Sequence, residues 1–395
     1  MKYLITLLTL STAFYAHSQD AVFSQFMFNK LYLNPAFAGS AGGTEFQLNS
    51  RQQWINAPGP QAYTGAYTFN QAAFQTFCPG SGVGMALQLR NSVEGEGILS
   101  TNNANFYLGV TKPLYKPANN RHVQPRLFGY YLRAVQTSFG MSIGVGQKTL
   151  DWDRLKFSSQ YHPYQGYFRD VSNVNPQNNA SNIIIDPSFG IRTKILFGEK
   201  TTRNLHLLST GYSMYHLTKP VETFFDIENH LPRRHTAFLF YHFTRGAIKF
   251  ENASHFTSLG IIYDYQQPLT TSTFYIGKQI IPEFYMSVGL RHRNFLDIQE
   301  QSDAGILTFN GRFDRTLIGL SYDFTLSNLS MHRTQGTLEA SLVYYLGTPF
   351  CPEVPWPWKL DKYRRGHRKK KTGQDCVVDN ILRSLHQSDF VIFMP

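Results

Sequence analysis

The feature that most constrains the fold is a period-two alternation that recurs in short segments from about Thr44 to residue 347. Between residues 139 and 146, Phe, Met, Ile and Val alternate with Gly, Ser, Gly and Gly. Between 284 and 291, Phe, Met, Val and Leu alternate with Tyr, Ser, Gly and Arg. Successive side chains of a strand point to opposite faces, so one face is apolar enough for lipid and the other is small, polar or charged. This pattern predicts an all-β fold, a transmembrane antiparallel outer-membrane β-barrel.

Composition supports a membrane barrel over other classes. Charged residues make up 16% of the chain and aromatic residues 15%, whereas about a quarter of a typical soluble domain is charged. No internal run of 18 apolar residues occurs, which disfavours transmembrane helices. Strands are the remaining way to span a membrane. A soluble secreted β-sandwich stays an alternative, although its polar face would carry more Lys and Glu, and failure to partition with outer-membrane fractions would be its sign.

The alternating segments predict about 14 strands. They cover residues 44–54, 61–72, 82–92, 101–112, 129–148, 184–198, 203–216, 235–246, 254–266, 271–279, 283–294, 304–311, 314–325 and 335–346. An even number places both termini on the periplasmic side. The predicted periplasmic turns at 199–202, 279–282 and 311–314 are short. The predicted extracellular connections at 149–183, 217–234 and 295–303 are longer, as is usual for such barrels.

The chain divides into four predicted parts. Residues 1–18 are typical of a signal peptide, with Lys2 before an apolar run and a small-residue cleavage site at Ala16-His17-Ser18. Residues 19–43 form an aromatic N-terminal segment, 44–347 the barrel, and 348–395 a periplasmic extension. Integral outer-membrane location follows from the signal and the strands together.

The C-terminal extension accounts for most of the net charge of +11, because eight Lys or Arg and one Asp lie between residues 359 and 371. A Pro/Trp-rich exit precedes this run, and residues 375–388 are a plausible short helix. A short basic run is more often solvated or bound to anionic lipid than to nucleic acid. We therefore expect contact with a periplasmic partner or outer-membrane lipid headgroups, and no nucleic acid. The basic tail residues are Arg364, Arg365, Arg368, Lys369, Lys370 and Lys371.

Three cysteines are available in an exported chain, where disulfides are permitted. Cys351 and Cys376 both lie in the tail, and a disulfide between them would pin it. Cys78 would then be free or would compete for one of the two. Three unpaired thiols are the alternative.

No motif indicates catalysis, a cofactor or a metal. The stretch from Gly140 to Thr149 resembles a phosphate loop only faintly, and glycines on one face of an alternating strand explain it better. The 13 histidines are scattered without metal-ligand spacing. His255 and Ser258 are three residues apart, on opposite faces of a strand, so they do not form a catalytic pair. We expect a non-enzymatic protein with no cofactor and no metal site.

Residues 19–40 carry the most distinctive motif. It opens with Gln-Asp and continues with Phe-Ser-Gln-Phe-Met-Phe-Asn and Leu-Tyr-Leu-Asn-Pro-Ala-Phe-Ala-Gly-Ser. This stretch resembles the opening of the PorP/SprF family of Bacteroidetes, which are outer-membrane proteins of the type IX secretion and gliding-motility apparatus. It departs from the family pattern mainly at Ala21-Val22 and Lys30. The motif residues are Phe23, Ser24, Gln25, Met27, Phe28, Asn29, Leu31, Tyr32, Asn34, Pro35, Ala36 and Gly39.

Further stretches extend the resemblance to about 19–347. Arg51-Gln52-Gln53-Trp54 is similar to a motif of the family's first strand, and Gly82-Val83-Gly84 to the opening of its third. Residues 321–327, Ser-Tyr-Asp-Phe-Thr-Leu-Ser, and the last strand at 336–347 are also similar. The family implies a non-catalytic role. Its members resemble either structural parts of the secretion machine, joined to periplasmic components, or partners of secreted surface adhesins.

From its aromatic spacing, we expect the N-terminal segment to plug or line the periplasmic mouth. About 25 residues would fill a lumen of this size only partly. An outer-membrane porin or a hydrophobic-substrate transporter therefore remains the alternative to a docking platform.

Overall fold

A computed structural model describes residues 20–55, 67–78, 81–95, 99–115, 125–127, 129–151, 181–198, 204–222, 230–244, 256–281, 283–294, 302–328 and 331–346, with positions 155, 157–162, 164, 166 and 167. The predicted signal peptide, the basic tail and tail helix, Cys351 and Cys376 lie outside the described residues. No helix of the described part is both long and apolar enough to cross a membrane.

Fourteen antiparallel strands close into one barrel, which confirms the predicted fold and strand number. They are β1 (Glu45–Gln53), β2 (Tyr67–Cys78), β3 (Val83–Glu94), β4 (Leu99–Tyr115), β5 (Tyr130–Thr149), β6 (Ser181–Gly198), β7 (Leu205–Tyr215), β8 (Arg234–Thr244), β9 (Phe256–Gln266), β10 (Leu269–Ile281), β11 (Phe284–Arg293), β12 (Ser302–Phe313), β13 (Thr316–Thr325) and β14 (Thr337–Tyr345).

The barrel is a simple meander in which each strand pairs with its neighbours in sequence. It closes where β1 pairs with β14, from Glu45 opposite Tyr345 to Gln53 opposite Thr337. We call the end at which β1 begins and β14 finishes the near end, and the opposite end the far end. Which of them faces the periplasm stays a prediction.

Short elements complete the described structure. A helical turn, α1 (Lys30–Leu33), and a 3-10 turn (Pro35–Phe37) precede β1, and α2 (Met331–Thr334) precedes β14. Arg126–Leu127 pairs with the start of β5. Tyr161–His162 pairs with Gly166–Tyr167 between β5 and β6.

The outer face is apolar, as the alternation predicts. On β5 the side chains of Phe139, Met141, Ile143 and Val145 are 53–67% exposed, while the Gly and Ser residues between them are buried. Apolar side chains that are exposed in regular alternation on a closed barrel match a lipid-facing wall.

The second strand departs most from its prediction, because β2 covers Tyr67–Cys78 rather than 61–72. Its outer positions include Thr68, Asn70 and Ala72, and its inner positions include Gln71 and Gln75. Neither face is consistently apolar, so the hydrophobic alternation that locates other strands is weak here.

Candidate functional site

Residues 20–44, which we call the lumen segment, run inside the barrel along its whole length. At the far end, the backbone N–H of Asp20 donates to Gln266 Oε1 at 2.9 Å. At the near end, the N–H of Gly39 donates to Gln75 Oε1 at 3.0 Å. The prediction of a plug at the mouth is therefore wrong in position, since the segment threads the lumen from end to end.

The lumen is also filled more completely than expected. Two cavities of about 60 and 90 Å³ border the far-end part of the lumen segment. Motif residues such as Ser24, Phe28, Asn34 and Ala36 are at most 2% exposed. A short segment fills a 14-stranded lumen because large wall side chains also point inward.

The local sequence explains how the segment turns inside the barrel. Asn34 Oδ1 accepts from the N–H of Ala36 at 2.8 Å and caps the 3-10 turn that Pro35 starts. The amide nitrogen of Asn34 donates to the carbonyls of Ile191 and Tyr212 at 3.1 and 3.0 Å. The Asn-Pro pair thus both forms the turn and joins it to β6 and β7.

Glycines on the wall let this turn lie directly against the strands. A Cβ at Gly84 would overlap the carbonyl oxygen of Ala38, and a Cβ at Gly140 would overlap the Pro35–Ala36 peptide. Gly144 and Gly146 face the side chains of Asn105 and Asn103 in the same way. The glycines of residues 140–146 therefore lie in a regular strand and make space on its inner face.

A buried cluster of charges holds the start of the segment. Ser24 Oγ donates to Asp323 Oδ2 at 2.7 Å and accepts from Arg51 at 3.0 Å and Arg291 at 2.8 Å. Arg51 forms ion pairs with Asp323 at 2.9 Å and with Glu339 at 3.1 Å. Arg291 lies 3.1 Å from Asp323. Two guanidinium groups and two carboxylates, all at most 5% exposed, therefore balance one another around one serine.

Two further motif residues, Gln25 and Asn29, contact Glu339. Gln25 Nε2 donates to the carbonyl of Glu339 at 2.6 Å and to Ser321 Oγ at 3.2 Å. Asn29 Nδ2 donates to Glu339 Oε1 at 2.9 Å, and its oxygen accepts from Gln71. The polar motif residues of the segment thus bind the inner faces of β2, β13 and β14.

This charge cluster unites three of the motifs that the sequence analysis treated separately. Ser24, Gln25 and Asn29 come from the N-terminal motif, Arg51 from the first-strand motif and Asp323 from the late motif. Arg291 was predicted only as a residue of the polar face, and Glu339 lies in the last strand at 336–347, a further stretch of the resemblance. Charges of opposite sign on that face were the available signal, but sequence spacing does not show which of them meet.

The far-end anchor is a second charged group. Asp20 lies 2.9 Å from both Arg234 Nη1 and His216 Nε2. Arg234 also donates to the carbonyl of Tyr32 at 2.7 Å and stacks 4.0 Å over its ring. His216, just beyond β7, lies 2.9 Å from Asp186 as well. Burial opposes protonation of His216, but the two carboxylates outweigh it and raise its pKa to about 9.

Aromatic contacts fill the space between these anchors. Phe26 stacks on Phe240 with ring centroids 4.5 Å apart and contacts Tyr275 at 4.8 Å. Phe37 lies 5.5 Å from Phe238. Aromatic pairs of this kind add about 0.5–1.5 kcal/mol each beyond burial, so the segment packs as a core rather than as a loose plug.

Cys78, at the near end of β2, is disulfide-bonded. Cys351 and Cys376 lie outside the described residues, so a bond between them, or competition by Cys78 for one of them, stays a prediction.

The described site contains no arrangement that suggests chemistry. Among the residues that the structure describes, no group of three or more His, Cys, Asp or Glu could hold a metal ion. The buried carboxylates contact arginines, serines and amides of the same network. The arrangement fixes the lumen segment to the inner wall of the barrel.

Comparison with known proteins identifies one family model, described as the type IX secretion system membrane protein PorP/SprF, which matches residues 16–344. No curated protein matches the chain.

Several solved structures are similar to the chain at low identity. The Ralstonia pickettii toluene transporter TbuX is 11% identical over 82% of this chain and 94% of its own, with a TM-score of 0.40. CdiB from Acinetobacter baumannii is 7% identical over 76% of this chain, with a TM-score of 0.37, and the chain covers 60% of CdiB. A mutant porin of Rh. blastica is 9% identical over 76% of this chain and 98% of its own, with a TM-score of 0.30.

Removing one charge from the cluster tests its contribution. Glu339→Gln leaves two arginines opposite a single carboxylate, so we expect the free energy of unfolding in detergent to fall by about 3–5 kcal/mol. Glu283→Gln makes the same change in an exposed turn, and we expect a shift within about 0.5 kcal/mol. Equal denaturant midpoints for the two variants would contradict the assigned role of the cluster.

The far-end anchor predicts a pH dependence. The pKa of His216 rises from 6.5 to about 9 on folding, so its stabilisation is complete below about pH 6.5 and is lost as the pH rises through 9. The difference in unfolding free energy between wild type and His216→Gln should shrink by up to about 3 kcal/mol over that range. The same difference at about pH 6 and pH 10 would show that His216 is not charged in the anchor.

Proposed function

Because the chain belongs to the PorP/SprF family of type IX secretion system membrane proteins, we propose that this outer-membrane β-barrel is a non-enzymatic membrane anchor and docking platform. Its partner is a secreted surface adhesin or a periplasmic component of the secretion machine. In this arrangement the near end faces the periplasm, where the tail of residues 348–395 emerges. The far-end connections then face the cell surface.

The observation that carries this proposal is the filled lumen. A porin or transporter needs a continuous path, and the lumen segment occupies that path from Asp20 to Gly39. Salt bridges at the charge cluster and at the far-end anchor hold the segment to the wall. These contacts favour a barrel whose surfaces bind other proteins over one whose interior conducts.

The platform has two proposed docking surfaces. One is the set of far-end connections, 149–183 and 217–234, which we choose because they are long. Only part of these connections is described, including the bridge between Val221 and His230 and the ion pair of Lys148 with Glu222 at 2.6 Å. The other is the basic tail. The disulfide at Cys78 supports a tail that stays close to the near end of the barrel.

Affinity purification tests the platform directly. The tagged protein is isolated from outer membranes in three forms: full length, truncated after residue 347, and full length with the six basic tail residues changed to Gln. We expect an adhesin or a machine component to co-purify with the full-length protein. If the partner is lost with both altered forms, it binds through the basic charge of the tail, because the Gln form keeps the length of the tail.

Other outcomes of this experiment separate the surfaces. If the partner still co-purifies with the truncated protein, the barrel or its far-end connections bind it. If the partner is lost only on truncation, the tail binds through its uncharged part. If no adhesin or machine component co-purifies with any form, the platform proposal is overturned.

Conductance in planar bilayers tests the porin alternative. We expect no stable open current from the wild type, because the lumen segment blocks the path. In the double variant Arg51→Met, Glu339→Met, one opposite pair is removed together, so the net charge is unchanged while the segment is held less tightly. We expect brief openings there. A large, stable current from the wild type would favour the porin.

A further inference from the structure

Five polar side chains form a straight row across the outer wall of the barrel, two or three residues from the far ends of their strands. They are Ser50, Asn70, Asn91, Asn102 and Gln147, one on each strand from β1 to β5, and we call them the amide row. Each is the direct cross-strand partner of the next. Their neighbours along the strands, such as Asn49 and Arg51, point into the lumen.

The row crosses a depression in the wall. Small side chains lie beside it, namely Ala72, Ala104 and Ala340, and the depression has an open volume of about 1040 Å³. None of the residues that line it belongs to the lumen segment, so it opens to the outside of the barrel. Its rim is aliphatic and consists of Leu48, Leu89, Val145, Ile183, Ile318 and Leu342.

The opposite wall is apolar at the middle of its strands. The central outward side chains of β8 to β12 are large, apolar and 43–57% exposed, namely Leu239, Ile261, Ile276, Val288 and Phe309. The depression is also bounded by apolar side chains on both sides. Ile183 lies opposite Gln147, and Leu338 lies opposite Gln52, one outward position beyond Ser50. The row therefore lies at the far-end edge of the apolar part of this wall, and the outward residues beyond it include Gln52, Thr68, Ser100 and Thr149.

The hydrogen bonds within the row leave donors unused. Ser50 Oγ donates to Asn70 Oδ1 at 2.7 Å, and Asn91 Nδ2 donates to Asn102 Oδ1 at 2.8 Å. Each carboxamide has two N–H groups, and within the described part of the chain those of Asn70 and Asn102 have no partner. An amide that is desolvated without a hydrogen bond costs about 1–3 kcal/mol, so a surface that covers these donors must supply acceptors.

Small residues combined with Ser, Asn or Gln are the side chains that membrane proteins use where they contact one another. Small residues allow close approach, and the amides find partners across the contact. We propose that the amide row and its depression are a lateral docking surface for a second, membrane-embedded protein. The outward side chains of the row are uncharged, so the contacting segment of the partner is uncharged, convex, and carries small residues with Ser, Thr, Asn or Gln.

The concave shape distinguishes this partner from a second copy of the chain. A two-fold dimer would place the same patch on both sides of the contact. Two facing depressions would enclose a void and would leave the amides of both rows out of reach of one another. A convex segment of a different protein fills the depression. The proposal does not depend on which cargo or periplasmic component the platform binds.

Photocrosslinking in the intact outer membrane tests this surface. The full-length protein carries p-benzoyl-phenylalanine in place of Asn91, or in place of Val288 on the opposite wall as the control. We expect a protein adduct at position 91 whose crosslinked peptide, identified by mass spectrometry, lies in a membrane-spanning segment of another integral membrane protein. We expect none at position 288.

Two further variants make the result specific. Ala104→Trp fills the depression and should reduce the adduct about tenfold, equivalent to about 1.4 kcal/mol of contact energy. Val288→Trp adds the same bulk to the opposite wall and should leave the adduct unchanged. Heat-modifiable migration on gels confirms that each variant is folded.

Three results would overturn the proposal. One is an adduct with lipid alone at position 91, which would make the row a headgroup contact. Another is an adduct between two copies of this chain. The third is equal labelling of proteins at positions 91 and 288.

Discussion

The structure depends on a buried balance of charge around Ser24. Arg51 and Arg291 face Asp323 and Glu339 in a space from which water is largely excluded. An unpaired charge there would be very costly, so each of the four strands that carry these residues must be in place before the others are stable. Since β1 and β14 are among them, the cluster also holds the seam at which the barrel closes.

A filled lumen changes what such a barrel can do. Aromatic contacts such as Phe26 with Phe240 and the turn at Asn34 make the lumen segment part of the core. The inner surface is then occupied by the chain itself, and only the rims, the tail and the outer wall can meet other molecules. This architecture supports the proposed docking role over passage of a solute.

The sequence was sufficient for features that depend on local pattern. Period-two alternation located thirteen strands closely, because lipid imposes an apolar residue at every second position. It misplaced β2, where Asn70 replaces the expected apolar residue on the outside and Gln71 and Gln75 bind the lumen segment on the inside. The polar side chains of β2 that contact the lumen segment or belong to the amide row therefore weaken its hydrophobic alternation.

The position of the lumen segment could not be derived in this way, since its partners are distant in sequence. Ser24 and Asp323 are separated by 299 positions, and no local signal connects them. The resemblance pointed to Ser24, Arg51 and Asp323 without showing that they meet. The motif residues that the structure pairs most tightly, including Ser24, Gln25 and Asn29, lie inside the barrel.

That location limits what the shared motifs can specify. Residues at most 2% exposed, such as Ser24 and Asn29, cannot contact a cargo or a machine component while the segment stays in the lumen. In this chain the motif residues therefore serve to close and fill the barrel. In the proposed role, recognition of a particular partner would reside outside these motif residues, on the far-end connections, the tail or the amide row.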